Sequence, residues 1–233
     1  MKIKFAVLLA FLITTVSTWA QDNKFDDKGK RHGKWGDVYD TTKLPRYEGA
    51  FNHGKETGVF KFYQNDKNST LIATRDFSAG NGVSYTIFYD EKGKKLSEGK
   101  EVNRLREGEW KFYHPGKEAI LSIEQYSKGK LTGMRKVYFP NGNIAEEAQY
   151  KDGLKNGVYK KYTEDGTLLE ESTYKNDVLH GMAIFRDATG EISSKGEFKN
   201  NIKTGVWEYF ENGKLVKEED KTNLKIELKR IRE

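Results

Sequence analysis

The sequence predicts an all-β fold, an elongated antiparallel meander of about eight β-hairpin repeats that are each about 24 residues long. Glycine recurs at intervals of 24 to 26 residues, and a period in the twenties is typical of repeat proteins. Aromatic residues make up 13% of the chain, which favours strands. The 23 glycines and 3 prolines indicate short strands joined by tight turns. The glycines that define repeats one to eight are Gly33, Gly58, Gly82, Gly108, Gly133, Gly157, Gly181 and Gly205.

The N-terminus has the pattern of a secretory signal peptide. Lys2 and Lys4 precede an apolar run over residues 5–16, and Ala20 ends the short segment that follows. The run is shorter than the ~20 apolar residues of a membrane-spanning helix. We expect cleavage after Ala20 and export to the periplasm or the extracellular space. The chain has no cysteine, so it cannot form disulfides, and this is compatible with an oxidising compartment.

These features divide the chain into four parts. They are a signal peptide (1–20), an N-terminal segment (21–32), a repeat array (33–217) and a charged C-terminal cap (218–233). In the cap, Leu224 and Leu228 fit either a strand with Ile226 or an amphipathic helix with Ile231. Both alternatives stay open, and in either form we expect the cap to cover the end of the array.

Each repeat starts with a short strand that we expect the glycine to open. The run Gly108-Glu109-Trp110-Lys111-Phe112-Tyr113 is the clearest example, with counterparts at 58–63 and 205–210. Short segments rich in aromatic and β-branched residues are typical of strands. We expect the glycine to have a positive φ, or to allow neighbouring hairpins to approach closely.

A turn and a second strand complete each repeat. We expect the turn to be a tight hairpin whose positive φ angles come from Asn141-Gly142, Asp165-Gly166, Thr189-Gly190 and Asn212-Gly213. Apolar and polar residues then alternate, as they do over residues 144–150, which predicts the second strand. A linker rich in Lys, Asn and Gly leads to the next glycine. The whole array would contain about 16 strands.

The first strand of each repeat carries apolar side chains on both faces. Counted from the glycine, positions +1 and +5 lie on one face, and +2 and +4 on the other. Position +2 is aromatic in five repeats. Two interpretations stay open, since these rings can pack on the adjacent hairpin or line a groove for a partner. In the second case we expect the contacts to come from Trp35, Phe60, Phe62, Trp110, Phe112, Tyr159, Trp207 and Tyr209, because interface energy concentrates in such anchors.

The segment 47–58 resembles a MORN repeat, whose pattern is roughly Tyr-x-Gly-x-aromatic-x-x-Gly-x-x-x-Gly. Later repeats, with Gly-x-Trp-x-x-Tyr and then Asn-Gly-Lys, are similar to the bacterial MORN variants of YwqK-type antitoxins. The resemblance covers about residues 30–217. It implies a scaffold for protein contact, dimerisation or lipid-surface contact, or a protein that neutralises a toxin. The export signal departs from the cytoplasmic setting of such antitoxins.

No set of residues in the sequence suggests catalysis, so we expect no enzyme, no cofactor and no metal. We expect solvated turns at His32, His53, His114 and His180. We expect cross-strand pairing with lysine for Glu146, Glu147, Glu170 and Glu171, because these residues recur with the repeat. A formal net charge of +6 without a basic stripe argues against a nucleic-acid partner. The expected partner is an unidentified protein, and a lipid or cell-wall surface is the alternative.

Overall fold

In the computed structural model, residues 22–222 are described. The expected signal peptide and most of the expected cap, including the Leu224–Ile231 pattern, lie outside the described residues. The described chain forms 17 strands. They are β1 (Lys24–Phe25), β2 (Arg31–Val38), β3 (Pro45–Asn52), β4 (Lys55–Tyr63), β5 (Leu71–Asp76), β6 (Val83–Tyr89), β7 (Lys95–Val102), β8 (Leu105–Tyr113), β9 (Ile120–Ser127), β10 (Lys130–Tyr138), β11 (Ile144–Lys151), β12 (Leu154–Tyr162), β13 (Leu168–Lys175), β14 (Val178–Arg186), β15 (Ile192–Lys199), β16 (Ile202–Glu211) and β17 (Lys214–Asp220).

The strands form one antiparallel meander. Each strand pairs with the next along the chain, from β1 to β17. This confirms the predicted all-β hairpin array. The count of about 16 strands was low by one, because the two-residue strand β1 precedes the first repeat. Within residues 22–222, no helix is long and apolar enough to cross a membrane.

The repeat glycines lie inside strands or just before them, and they do not open the strands as expected. β4, for example, begins at Lys55, three residues before Gly58. The φ of Gly58 is 64°, and the pairing of β3 with β4 shifts between Glu48 and Ala50. The glycine is thus part of a β-bulge, where a positive φ is needed that few other residues adopt. The expected positive φ is confirmed at all eight repeat glycines, with values from 64° to 120°.

The two kinds of turn are the reverse of what the sequence indicated. At Asn141-Gly142 only the glycine has a positive φ. There the N–H of Gly142 donates to the carbonyl of Phe139 (2.9 Å), which gives a type I turn followed by a left-handed glycine. The tight two-residue turns lie in the linkers, as at Asn176-Asp177, where φ is 51° and 65°. Asn and Asp tolerate this conformation. Of the four expected hairpins, only Asn212-Gly213 has two positive φ angles.

Residues 22–30 form an N-terminal arm that lies against the first repeat. The side-chain amide of Asn23 donates to the carbonyl of Gly36 (3.2 Å) and accepts from its N–H (3.0 Å). Phe25 packs edge-on against Trp35, with ring centroids 5.0 Å apart. The indole N–H of Trp35 donates to the carbonyl of Lys24 (3.0 Å). The arm therefore protects the first strand of the array, which would otherwise be an exposed edge.

The arm should loosen in acid through Asp26. Its carboxylate contacts His53 Nδ1 (2.6 Å) and accepts from the backbone N–H groups of Lys28 and Lys30. The bond to His53, and then that to Lys30, lower the pKa of Asp26 below its usual 3.8. A lowered carboxyl pKa stabilises the folded form above the unfolded pKa, and this stabilisation is lost as the pH falls through the folded value. We expect the arm to loosen below about pH 4.

The measurement is the NMR resonance of the Trp35 indole N–H, whose hydrogen bond reports on the arm. It should shift on acidification, and Asp26→Asn should shift it in the same direction at neutral pH. Asp22→Asn, which changes an exposed residue of the arm, serves as the control. A Trp35 resonance that is insensitive both to pH and to Asp26→Asn would contradict this role.

Candidate binding surface

The two faces of the sheet carry different side chains. In the second repeat, Phe60 (+2) and Phe62 (+4) lie on what we call the aromatic face. Val59 (+1), Lys61 (+3) and Tyr63 (+5) lie on the opposite one, the charged face. The same positions define the two faces in the other repeats. The sequence predicted this division, and the structure shows that the two faces differ in how their apolar residues are covered.

The +2 rings of the aromatic face are core residues. Phe60, Trp110, Tyr159 and Trp207 are 2%, 0%, 8% and 0% exposed, while Trp35 is half-buried. Three of these rings lie on a glycine of the preceding strand. A Cβ built on Gly49 would overlap the ring of Phe60. A Cβ built on Gly99 would be 2.5 Å from the ring of Trp110, and one on Gly196 would be 2.5 Å from the ring of Trp207. Only glycine leaves room for an aromatic ring this close to the backbone.

The polar edge of each described tryptophan is also satisfied. The indole N–H of Trp110 donates to the carbonyl of Lys100 (2.9 Å), and that of Trp207 donates to the carbonyl of Glu197 (3.1 Å). A buried N–H without a partner would be costly. These bonds fix the two rings across the preceding strand, so Trp110 and Trp207 are enclosed within the array.

A cation covers the outer side of several +2 rings. It stands two residues before the repeat glycine in the first, fourth, sixth and eighth repeats. Its distance to the ring centroid is 4.9 Å for Arg31 over Trp35, 4.5 Å for Arg106 over Trp110, 4.6 Å for Lys155 over Tyr159 and 3.8 Å for Lys203 over Trp207. Such cation–π contacts contribute about 0.5–2 kcal/mol each. These four residues were missed in the sequence, although their fixed distance from the glycine is a periodic signal.

The +4 rings remain partly accessible. Phe62, Phe112 and Tyr209 are half-buried, and each lies with its ring centroid 6.4 Å from that of the +2 ring in its own strand. The cations reach these rings too, since Arg106 lies 5.1 Å from Phe112 and Lys203 lies 5.2 Å from Tyr209. The eight expected contact residues thus divide into four buried +2 rings and three half-buried +4 rings, with Trp35 half-buried at +2 in the first repeat.

The aromatic row is not continuous, because repeats three, five and seven have Ser84, Arg135 and Ala183 at +2. Ring contacts within residues 22–222 fall into separate clusters around Phe60, Trp110, Tyr159 and Trp207. The structure therefore places the eight expected residues on one face without joining them into a single groove.

Polar groups fill two of the interruptions. In the third repeat, the hydroxyl of Thr86 donates to Glu101 (2.9 Å), and Arg75 Nε lies 3.2 Å from the same carboxylate. In the fifth repeat, Arg135 donates to Glu124 and to Glu146, at 3.0 Å each. Both clusters are largely buried, so their charges are paired, as burial requires. Sequence reasoning missed them, because their members come from different strands.

The charged face is held together by cross-strand ion pairs. Lys136 lies 3.3 Å from Glu147, and Lys160 lies 4.0 Å from Glu171, as expected. The expectation was wrong for the other two glutamates, because Glu146 pairs with Arg135 and Glu170 accepts from the hydroxyl of Ser172 (2.8 Å). Both lie on the aromatic face.

Tyrosine hydroxyls bind to carboxylates on the charged face. The Tyr162 hydroxyl donates to Glu147 (3.0 Å). Burial, and then this hydrogen bond, raise the pKa of Tyr162 to about 12, so the residue stays neutral and keeps donating at physiological pH. Tyr162 therefore links its strand to the strand of Glu147 as a hydrogen-bond donor.

The histidines do not all lie in solvated turns as expected. The ring of His53 contacts Asp26 and lies 4.6 Å from the ring of His32. Nε2 of His114 lies 3.0 Å from the carbonyl of Tyr138. His180 is in β14, with Nδ1 buried. In the described part of the chain, no group of three or more His, Cys, Asp or Glu residues is placed to hold a metal ion.

Comparison with known families identifies the repeat. The MORN repeat variant model matches residues 131–152, 155–176 and 203–220. Each matched segment contains most of one bulged strand and the strand that follows it. No curated protein was found to match the chain. Residues 131–152, 155–176 and 203–220 are therefore MORN repeat variants, which confirms the predicted MORN resemblance for these later repeats.

Proposed function

We propose that this chain is an exported, non-enzymatic scaffold that binds a protein partner through its aromatic face. MORN repeats are generally binding modules, and a row of similar hairpins offers one extended surface. The N-terminal sequence supports export. A protein that neutralises a partner, as the antitoxin resemblance implies, would be one form of this function.

The accessible +4 rings carry the proposal. Phe112 and Tyr209 are each half-buried beside a cation that already contacts their ring. Tyrosine and arginine are enriched in interface hot spots. The buried +2 rings beside them on the same strand pack against the +4 rings and limit their movement, so little ordering is needed on binding. The matching partner surface would present apolar anchors together with acidic groups.

A double variant tests this proposal. Phe112→Gln with Tyr209→Gln should remove the exposed ring area of two repeats and abolish most recovery of the cross-linked partner from native cells. The matched control is Val59→Ser with Val206→Ser, because these residues are 51% and 54% exposed on the charged face. Recovery is compared at a temperature at which circular dichroism shows all the proteins folded. Equal recovery by both double variants would refute the role of the aromatic face.

A second candidate is contact with a lipid or cell-wall surface through the charged face. The observation in its favour is the exposed apolar row at +1, which includes Met182 and Val206 at 49% and 54% exposure. The same pair of variants separates the two candidates. Vesicle flotation is measured at low salt, because salt screens the attraction between charges. If the Val59→Ser/Val206→Ser double variant no longer floats with vesicles while the Phe112→Gln/Tyr209→Gln double variant still does, the lipid surface is favoured.

A further inference from the structure

A cleft of about 570 Å³ lies where the third and fourth repeats turn. Its lining comes from the end of β6, the start of β7, the end of β8 and the two loops 90–94 and 114–119. The volume is within the range of small-molecule sites, which is roughly 300–1,000 Å³. The lining residues are Tyr89, Lys92, Gly93, Lys94, Lys95, Tyr113, Lys117 and Glu118.

The charge of this cleft is not a property of the repeat. Four lysines line it against one glutamate. Loop 90–94 carries Lys92 and Lys94 together with Asp90 and Glu91, whereas the corresponding loops of the sixth and seventh repeats, 163–167 and 187–191, have two acidic residues each and no Lys or Arg. The fold needs only the turn at this place, since the acidic loops form it equally well. The architecture therefore does not require the lysines; the loops of the first and second repeats carry one each, Lys43 and Lys67, whereas this cleft collects four.

Two of the four lysines are held in ion pairs, and the other two make none within the described residues. Lys95 binds Glu98 (2.9 Å), and Lys94 binds Glu118 (3.1 Å), whose side chain is 87% exposed. Asp90 accepts from the backbone N–H groups of Lys92 and Lys94, so it shapes the loop. Lys92 and Lys117 lie in the exposed loops and make no ion pair within the described part of the chain. An anion in the cleft could therefore bind these two ammonium groups without displacing a carboxylate.

Two tyrosine rings supply the apolar part of the lining. The hydroxyl of Tyr113 donates to Glu98, and that of Tyr89 lies 3.4 Å from Thr74 Oγ1. Each hydroxyl thus has a partner in the sheet, and both rings line the cleft. Lys95 Nζ lies 6.0 Å from the centroid of Tyr113. A flat aromatic surface beside cations suits a ligand with a ring-shaped body and an anionic group.

We propose that this cleft binds a sugar that carries a phosphate or sulfate group. The anionic group would be held by Lys92 and Lys117, and the sugar ring would lie against Tyr89 and Tyr113. An inorganic anion alone would use only the lysines, and a neutral sugar only the rings, so both should bind more weakly than the combined ligand. The site is separate from the aromatic face, and it does not depend on the protein-binding role proposed above.

The test is an NMR titration of the isotope-labelled full chain with glucose 6-phosphate, at low ionic strength and up to about 10 mM probe. We expect amide shifts confined to residues 89–95 and 113–118. Lys92→Gln with Lys117→Gln should weaken binding about tenfold by removing two charge-assisted contacts. The control is Lys43→Gln with Lys67→Gln, which removes two exposed loop lysines from the first and second repeats and should leave binding unchanged.

Comparison probes decide the chemistry. Glucose and inorganic phosphate should each bind more weakly than glucose 6-phosphate. A sulfated disaccharide should shift the same amide resonances. The proposal is overturned if phosphate alone binds as tightly as glucose 6-phosphate, if the control variant weakens binding equally, or if no shift occurs over the titration. Lysine at exposed loop positions is not needed for folding, so the variants should remain folded, and their amide spectra will show this.

Discussion

Replacing Trp207 by alanine should lower the free energy of unfolding by about 3–5 kcal/mol, the range for removing a buried tryptophan. The ring is 0% exposed, and it contacts Phe185, Phe198 and Tyr209, with centroids 5.0–6.4 Å away. The substitution would remove these contacts together with the hydrogen bond to the carbonyl of Glu197. It would also leave Lys203 without the ring that it covers. The measurement is urea denaturation followed by circular dichroism.

Val206→Ala is the matched control for this prediction. Val206 precedes Trp207 in the same strand, but its side chain lies on the opposite face and is 54% exposed. Its truncation should change stability by no more than about 0.5 kcal/mol. If Trp207→Ala were as mild as Val206→Ala, the indole would not be part of the core, and the groove interpretation would regain its support.

Adding one methyl group at Gly196 should cost about 1–3 kcal/mol, because it overpacks a filled site. The new Cβ would lie 2.5 Å from the Trp207 ring, so the ring or the strand would have to move. Gly196 has no positive φ, so backbone strain does not explain this cost. The same denaturation experiment on Gly196→Ala measures it.

The double variant separates steric conflict from any other effect of the methyl group. In a Trp207→Ala background the ring is absent, so Gly196→Ala should have little effect. The two substitutions would then show a coupling of about 1–3 kcal/mol, in the range for residues in contact. Additive effects would contradict the arrangement of the indole on the glycine.

The sequence was sufficient to predict the meander and its two faces. The glycine period set the repeat, and the alternation around Trp110 placed Trp110 and Phe112 on one side of the strand and Lys111 on the other. Both predictions depend only on local spacing. The turns were predicted less well, since Asn141-Gly142 and Asn176-Asp177 have similar residues but different hydrogen-bonding patterns. The two loops differ in length, since five residues join β10 to β11 and two join β13 to β14, and loop length selects the turn type.

The choice between core and groove could not be made from the sequence. Burial of Trp110 depends on Gly99 from the preceding strand and on Arg106 from its own strand. Their positions over the ring follow from the bulge at Gly108, where the register of β7 with β8 shifts between Gly99 and Lys100. The buried Arg75–Glu101 pair was missed for the same reason, since it joins two strands that are not adjacent along the chain.

The central claim is that the +2 rings are covered and the +4 rings form the accessible surface. Acrylamide quenching of tryptophan fluorescence tests the burial of the +2 rings directly, in a variant with Trp19 and Trp35 replaced by phenylalanine. Only Trp110 and Trp207 then emit, and both are 0% exposed. We predict a quenching constant several-fold below that of free tryptophan, rising to the free value in urea. Quenching of the folded protein close to that of free tryptophan would contradict the claim.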